Sequence, residues 1–167
     1  MEGASEVISS PSNAVKRPRN VDKWKKNVCK KKRNLGEEYI SYNNGRVIPR
    51  RVIGESCACK LNCFDNISED SRESIFSEFW ASGSHLVQTS FIQKHVEQAK
   101  PKRRRTRDIS KHRKFSRSFY LRSSDGNNVR VCMKAFCSIL GVTKHRVRYA
   151  CENMVSEAGE YLFCFLF

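Results

Sequence analysis

The sequence predicts a mainly α-helical fold with one small β-hairpin and a C-terminal pair of short helices. Apolar residues recur at helical spacing within residues 20–35, 68–99 and 133–154. Over residues 119–132, apolar and polar residues alternate instead, as in a β-strand. The Asp-Gly dipeptide in this segment indicates a hairpin turn. At 167 residues the chain has room for one ordinary domain, or for two small modules with tails.

The first predicted helix occupies a basic segment, residues 16–36, which follows a Ser-rich segment without aromatic residues at 1–15. Such a composition buries too little apolar surface to fold, so residues 1–15 are expected to be a disordered tail. The basic helix is expected to stop at Gly36, because glycine tolerates the left-handed backbone of a helix end. Its apolar residues share one face and are Trp24, Val28 and Leu35.

A helical hairpin is predicted within residues 37–99, after a cluster of cysteines. Its first helix begins after Ser68, a candidate N-cap, and ends at Gly83. Its second helix is expected to extend to about residue 99. The apolar stripe of the first helix comprises Ile75, Phe76, Phe79 and Trp80.

Positive charge is concentrated in two blocks. The chain has 32 Lys and Arg against 17 Asp and Glu, and residues 16–36 and 100–122 hold 21 of these bases but only two of the acids. Clustered cations gain affinity for closely spaced phosphates by counterion release, whereas membrane binding requires a broad apolar face that neither block has. Nucleic acid is therefore the predicted partner, and residues 100–118 are expected to form a basic linker. The candidate phosphate contacts are Lys30, Lys31, Lys32, Arg33, Arg103, Arg104 and Arg105.

Compartment is predicted from the basic runs and from the termini. Runs such as residues 102–105 are typical of nuclear import signals, so the nucleus is the predicted location. The first 15 residues lack the basic and apolar regions of a signal peptide. The longest apolar run lies in the C-terminal tail, residues 155–167, and has seven residues where about 20 are needed to cross a membrane. We therefore expect no membrane partner, and thiols that remain reduced.

No motif of a catalytic site is present in the sequence. It contains no P-loop, no Rossmann glycine fingerprint, no nucleophile elbow and no zinc-protease motif. Its four histidines lack evident catalytic partners, and helix capping and surface charge account for its acids. We therefore expect no enzymatic activity.

Three cysteines fall within seven residues, at Cys57, Cys59 and Cys63. A short loop rich in Lys, Asn and Ala does not build a core, whereas zinc takes four ligands that are commonly Cys or His. A bound metal also helps a small domain with a thin core to hold its fold. We therefore predict a structural zinc site, with three free cysteines as the alternative. The candidates for the fourth ligand are Cys132, Cys29, His85 and His95.

Residues 133–154 follow the pattern of a helix-turn-helix motif. Gly141 supplies the permissive backbone of the turn, and Thr143 can cap the second helix. Val147 and Ala150 are then expected to face the core at i and i+3. An ordinary helical hairpin is the alternative, but the basic outer face favours recognition of a DNA major groove. That face carries Lys144, His145, Arg148 and Tyr149.

The order of these signals resembles a poorly characterised family of insects and other invertebrates, whose members look transposon-derived. The match is to the N-terminal region of the family, and longer members carry a nuclease- or integrase-like domain further along. The residues that carry the resemblance are Arg19, Asn20, Trp24, Asn27, Arg33, Gly36, Tyr39, the three clustered cysteines, Arg72, Ile75, Phe76, Phe79, Trp80, Tyr120, Val131, Cys132, Phe136, Leu140, Gly141 and Arg146.

The resemblance covers residues 16–150 and implies a DNA-facing module from a mobile element. It also implies that Cys132 is the fourth ligand, because the family's pattern has a cysteine there. The last residues, 156–167, depart from the family's continuation, and the acidic catalytic residues of a transposase core are absent. The resemblance therefore does not imply strand-transfer activity.

Together these patterns predict a small zinc-stabilised module that binds DNA, most simply as a duplex, in the nucleus. The competing prediction is a protein-interaction module, in which the helical hairpin or the apolar tail docks on a partner and the basic runs serve import alone. Single-stranded RNA is a third alternative, but the basic runs are not interleaved with the aromatic residues that stack on bases.

Overall fold

The computed structural model of the protein describes residues 19–103, 107–112, 114–123 and 125–153. The predicted N-terminal tail and C-terminal apolar tail lie outside these residues, as do Arg104 and Arg105. Within the described ranges the chain forms five α-helices and two small antiparallel sheets. The mainly α-helical class is therefore confirmed, although the β content is larger than predicted.

The helices and strands occur in groups along the chain. The helices are α1 (Lys25–Leu35), α2 (Glu69–Ala81), α3 (His85–Lys94), α4 (Met133–Ile139) and α5 (Lys144–Glu152). The strands are β1 (Tyr39–Ile40), β2 (Val47–Ile48), β3 (Val96–Ala99), β4 (Ser116–Arg122) and β5 (Asn128–Val131). Their order along the chain is α1, β1–β2, α2–α3, β3–β5 and α4–α5. The strand β1 pairs with β2, and the other sheet has the order β3-β4-β5. Short 3-10 turns occur at Val21–Lys23 and Ile109–Lys111.

The three-stranded sheet corrects the prediction of a single hairpin. β4 and β5 form that hairpin, but β3 pairs along the other edge of β4. The residues of β3 were expected to form the end of the second hairpin helix, which instead ends at Lys94. Val96 lies opposite Phe119 and both are buried, so a strand at this point buries apolar surface and satisfies the edge of β4.

The core lies between α2, α3, the helix pair α4–α5 and the three-stranded sheet. Ser68 caps α2, because its hydroxyl accepts a hydrogen bond from the N–H of Ser71. The apolar stripe of α2, the first helix of the predicted helical hairpin, faces the core rather than solvent. The fully buried large residues of the core are Ile67, Phe79, Ile92, Leu121, Phe136, Ile139, Leu140 and Val147.

In contrast, α1 lies on the surface and has no buried residue. Trp24 keeps 53 % of its surface exposed and Leu35 keeps 42 %, so the predicted apolar face is only half covered. Gly36 ends the helix with a left-handed φ of 71°, as the sequence predicts.

The helices α4 and α5 are joined by a tight turn that follows the predicted pattern. Gly141 has a φ of 61°, and the hydroxyl of Thr143 accepts a hydrogen bond from the N–H of Arg146. Val147 and Ala150 are buried, as the helical period requires. Over the described ranges, no helix combines the length and the apolar content needed to cross a membrane.

Candidate metal centre and basic surface

Four thiols form one compact cluster. The Sγ atoms of Cys57, Cys59, Cys63 and Cys132 all lie within 4.8 Å of one another. Sγ of Cys59 is 3.6 Å from that of Cys57 and 3.4 Å from that of Cys63. A tetrahedral zinc ion with bonds of about 2.3 Å separates its sulfur ligands by about 3.8 Å. The type of donor and the spacing therefore fit one metal ion held by four cysteines.

The loop between the cysteines folds back through a left-handed residue. Asn62 has a φ of 43°, a conformation that its short polar side chain tolerates. Its N–H donates to the carbonyl of Cys59 at 3.1 Å, which closes the turn that returns Cys63 to the cluster. The side-chain amide of Asn66 donates to the carbonyl of Leu61 at 2.8 Å and holds the outer part of the loop.

Arg72 anchors the segment that follows the loop, and sequence reasoning assigned it no role. Its Nη1 donates to the carbonyls of Phe64 and Ile67 at 2.7 and 2.8 Å, and its guanidinium lies 4.8 Å from the centre of the Phe64 ring. The first turn of α2 is thereby fixed to the end of the cysteine loop. An Arg in a helix that begins a few residues after a metal-binding loop is the signal that could have found it.

Cys132 joins the cluster from the position between β5 and α4. Its N–H donates to Sγ of Cys63 at 3.2 Å, and its own Sγ accepts from the N–H of Ala135 at 3.3 Å. Cys132 is therefore the N-cap of α4 as well as a member of the cluster. Backbone N–H groups aimed at sulfur stabilise negative charge there, as metal-bound thiolates require.

The other three candidates for the fourth ligand lie elsewhere. Cys29 on α1 donates to the carbonyl of Ile40 at 3.2 Å. His95 stacks on Phe91, with ring centroids 4.2 Å apart. His85 is the first residue of α3. Across the described ranges, the candidate metal group contains these four cysteines alone.

The acid–base properties of the thiols differ within the cluster. Burial and the neighbouring Cys132 thiol raise the pKa of Cys57 to about 12, and burial also raises the pKa of Cys63. A hydrogen bond from the backbone N–H of Leu61 lowers the pKa of Cys59 to about 7. In the absence of a cation, Cys59 is therefore the first of these three thiols to ionise. A divalent ion would favour the thiolate form of all four.

The predicted DNA contacts among the described residues lie on two helices and one loop. Lys30 to Arg33 are exposed on α1, and Arg103 is exposed after β3. On α5, the four residues of the predicted outer face are all exposed, and Tyr149 keeps 52 % of its surface. The helix pair therefore presents Lys144, His145, Arg148 and Tyr149 to solvent.

A groove beside the helix pair adds three basic residues to those that the sequence indicated. It lies between residues 48–55 and α4–α5, and its wall includes the first residue of α5, Lys144. One acid, Glu55, also lines it. The cationic residues of the groove are Arg50, Arg51, Lys134 and Lys144.

Arg146 is a further basic residue of α5, and the helical period of the sequence did not assign it to either face of the helix. Its Nη2 donates to Oε1 of Gln88 at 2.6 Å, and its guanidinium lies 5.7 and 5.8 Å from the ring centres of Phe79 and Trp80. It therefore points from α5 toward α2 and α3 rather than into solvent. The available signal was that Arg146 directly precedes the buried Val147. Neighbouring positions on a helix can lie at the border between its buried and its exposed face.

No protein-family model, curated protein or solved structure matches the chain. The resemblance to the transposon-derived invertebrate family therefore stays a prediction.

Proposed function

We propose that the chain is a zinc-stabilised module that binds duplex DNA in the nucleus and derives from a transposable element. The observation that carries the proposal is the double position of Cys132. It belongs to the four-thiol cluster and also caps α4, so a metal bound there would fix the start of the helix pair. The second helix of that pair exposes a basic face.

Zinc is the proposed ion because all four donors are thiols. Soft thiolate ligands favour zinc over hard cations such as magnesium and calcium. A site closed by four cysteines has no open position for a water or a substrate, which is typical of structural rather than catalytic zinc. The proposed role of the metal is therefore to cross-link the cysteine loop to α4, and no reaction is proposed.

Duplex DNA is the proposed partner because exposed cations lie along α5 and in the groove beside it. Lys144 lines the basic groove with Arg51, while Arg148 and Tyr149 are exposed further along α5. A short helix with a basic outer face suits a major groove, and cations that flank it suit the adjacent phosphates. The net charge of +15 favours the same class of partner.

The protein-interaction alternative is supported by two exposed apolar residues of α3. Leu86 keeps 75 % of its surface and Val87 keeps 53 %. The inner stripe of the hairpin is less suited to this role, because Ile75, Phe79 and Ile92 are buried in the protein's own core. A partner that docks on this hairpin would therefore contact Leu86 and Val87.

A salt-dependent gel shift separates these functions. Metal-loaded protein should bind a mixed-sequence duplex, with an affinity that falls steeply as salt rises. Preferential binding to single-stranded RNA would replace DNA by RNA as the partner. The absence of binding to any nucleic acid at low salt would reject the proposal and favour the protein-interaction alternative.

A further inference from the structure

Arg146 is a half-buried cation without an ionic partner. Its guanidinium contacts Gln88, Phe79 and Trp80, none of which carries a negative charge. Its Nε is buried and has no hydrogen-bond partner among the described residues. Within the same part of the chain, no carboxylate lies within salt-bridge distance of it. Buried charges are ordinarily paired, so this arrangement indicates that an anion binds here.

The C-terminal end of α1 lies beside Arg146. Gln88, which accepts from Arg146, also donates through Nε2 to the carbonyl of Asn34 at 2.8 Å. Asn34 directly follows Arg33 in the last turn of α1. Two hydrogen bonds through one buried glutamine therefore connect the guanidinium of Arg146 to the turn that carries Arg33.

A third arginine reaches the same place from the loop after β2. The N–H of Arg51 donates to the carbonyl of Gly36 at 2.8 Å. A Cβ atom at Gly36 would lie 3.3 Å from Cβ of Arg51 and 2.8 Å from the Trp80 ring, and one at Gly141 would lie 3.7 Å from Cβ of Arg51. The stem of Arg51 therefore lies against both glycines, next to the tryptophan that Arg146 overlies.

We propose that Arg33, Arg51 and Arg146 form a pocket that binds one phosphate of the nucleic-acid backbone. The proposal rests on the proposed function, because duplex DNA is the source of that phosphate. Guanidinium groups suit it, since their planar N–H donors bind two phosphate oxygens at once. Arg146 is the fixed member, because Gln88 and two rings hold it, whereas Arg33 and Arg51 are exposed.

Mutual repulsion among these cations supports the proposal. Burial, together with the charges of Arg51 and Arg33, lowers the pKa of Arg146. Burial, with the charges of Arg146 and Arg33, lowers the pKa of His85, the first residue of α3. Positive charges that destabilise one another without a ligand would be stabilised by a bound dianion or phosphodiester.

The test combines thermal unfolding with DNA binding. Arg33→Gln/Arg51→Gln removes two exposed cations and leaves the packed Arg146 in place. The matched control is Arg122→Gln/Arg130→Gln, which removes the same charge from exposed positions on β4 and β5. Unfolding midpoints are measured in inorganic phosphate and in sodium chloride at equal ionic strength, and duplex binding is measured over a range of salt.

The pocket predicts that phosphate raises the midpoint of the parent and of the control, but not that of the Arg33/Arg51 variant. The variant should bind duplex about tenfold more weakly than the control. The slope of log affinity against log salt should be smaller by about 0.9 than that of the control, which corresponds to one phosphate.

Each failure has a separate meaning. If phosphate stabilises the parent no more than chloride does, the pocket is rejected, whatever the DNA result. If both double variants bind duplex with equal affinity and slope, the pocket does not contact the backbone, while the proposed function stands. If phosphate stabilises only proteins with an intact pocket but no duplex binds, the nucleic-acid assignment and the proposed function both fail.

Discussion

The N–H of Cys132 donates a hydrogen bond to Sγ of Cys63 at 3.2 Å, across 69 positions of the sequence. The contact joins the cysteine loop to the N-cap of the helix pair. Anything that changes the charge on this sulfur therefore acts on both parts of the fold, which makes the metal and the helix pair testable together.

The first prediction concerns metal content. The purified chain should contain about one zinc ion per molecule. Cys63→Ser should lose the ion and unfold at a lower temperature, because it removes one of the four thiols that complete the site. Elemental analysis and thermal unfolding are the measurements.

Cys29→Ser is the matched control for metal content, since Cys29 lies outside the cluster and a serine hydroxyl can keep its hydrogen bond to Ile40. This variant should retain the ion. Chelated protein with the melting curve of the untreated sample would show that no metal stabilises the fold.

The second prediction concerns the order in which the thiols react when metal is removed. Cys59, with a pKa of about 7, is largely thiolate above neutral pH and should be alkylated first. Its reaction rate should fall as pH drops through about 7, because protonation removes the nucleophile. Cys137 is buried, which raises its pKa to about 11, and it should stay unmodified. Mass spectrometry after timed alkylation measures both, and equal rates at the two residues would contradict the assignment.

The third prediction separates the two faces of α5. Val147→Asp places a charge at a fully buried site and should destabilise the fold by about 3–5 kcal/mol. Arg148→Ala alters an exposed residue and should leave the unfolding midpoint nearly unchanged while it weakens duplex binding. A loss of about 1–3 kcal/mol on a preferred sequence, and less on random duplex, would indicate a base contact. Folded Arg148→Ala that binds as tightly as the parent would reject the recognition-helix interpretation.

The fourth prediction compares two glycines with similar backbones. Gly36 and Gly45 have φ of 71° and 66°, so alanine at either one is strained by about 1–2 kcal/mol. A Cβ at Gly36 would also lie only 2.8 Å from the Trp80 ring, whereas nothing lies within 4 Å of one at Gly45. Gly36→Ala should therefore destabilise by about 1–3 kcal/mol more than Gly45→Ala. Equal denaturant midpoints for the two variants would mean that the close contact with Trp80 does not matter.

The fifth prediction concerns the second basic block. Changing Arg103, Arg104 and Arg105 to Gln together should reduce the slope of log affinity against log salt by about 2.7. This value corresponds to three phosphate contacts that contribute about 0.9 each. Arg46, Lys94 and Arg130 are exposed and lie outside both basic blocks, so changing them to Gln is a control of equal charge. If the two triple variants have the same slope, the block makes no specific contribution to phosphate binding.

Features that depend on neighbouring residues, such as the cysteine cluster and the helix ends, could be predicted from the sequence. The spacing of Cys57, Cys59 and Cys63 predicted a cluster, and Gly36 and Thr143 predicted the boundaries of their helices. Cys132 could not be chosen from spacing, because β4 and β5 carry it to the loop from 69 positions away. Only the family resemblance favoured it over Cys29 and the two histidines.

Non-local contacts explain what the sequence did not indicate. The residues of β3 continue a helical pattern, and they form a strand because β4 offers a partner on that side. Arg146 lies one position from the buried Val147, so the helical period alone left open whether it faced solvent. Gln88 of α3, which determines its direction, is distant in sequence.

A metal ion held by the four cysteines would also cross-link two distant parts of the chain. An ion bound by Cys63 and Cys132 would close a loop of about 70 residues. A cross-link of that size lowers the conformational entropy of the unfolded chain, which raises the free energy of the unfolded state by about 4 kcal/mol. Because this cost depends only logarithmically on loop length, doubling the loop would change it by about 0.6 kcal/mol. The basic stretch between β3 and β4 should therefore accept insertions of many residues with little loss of stability.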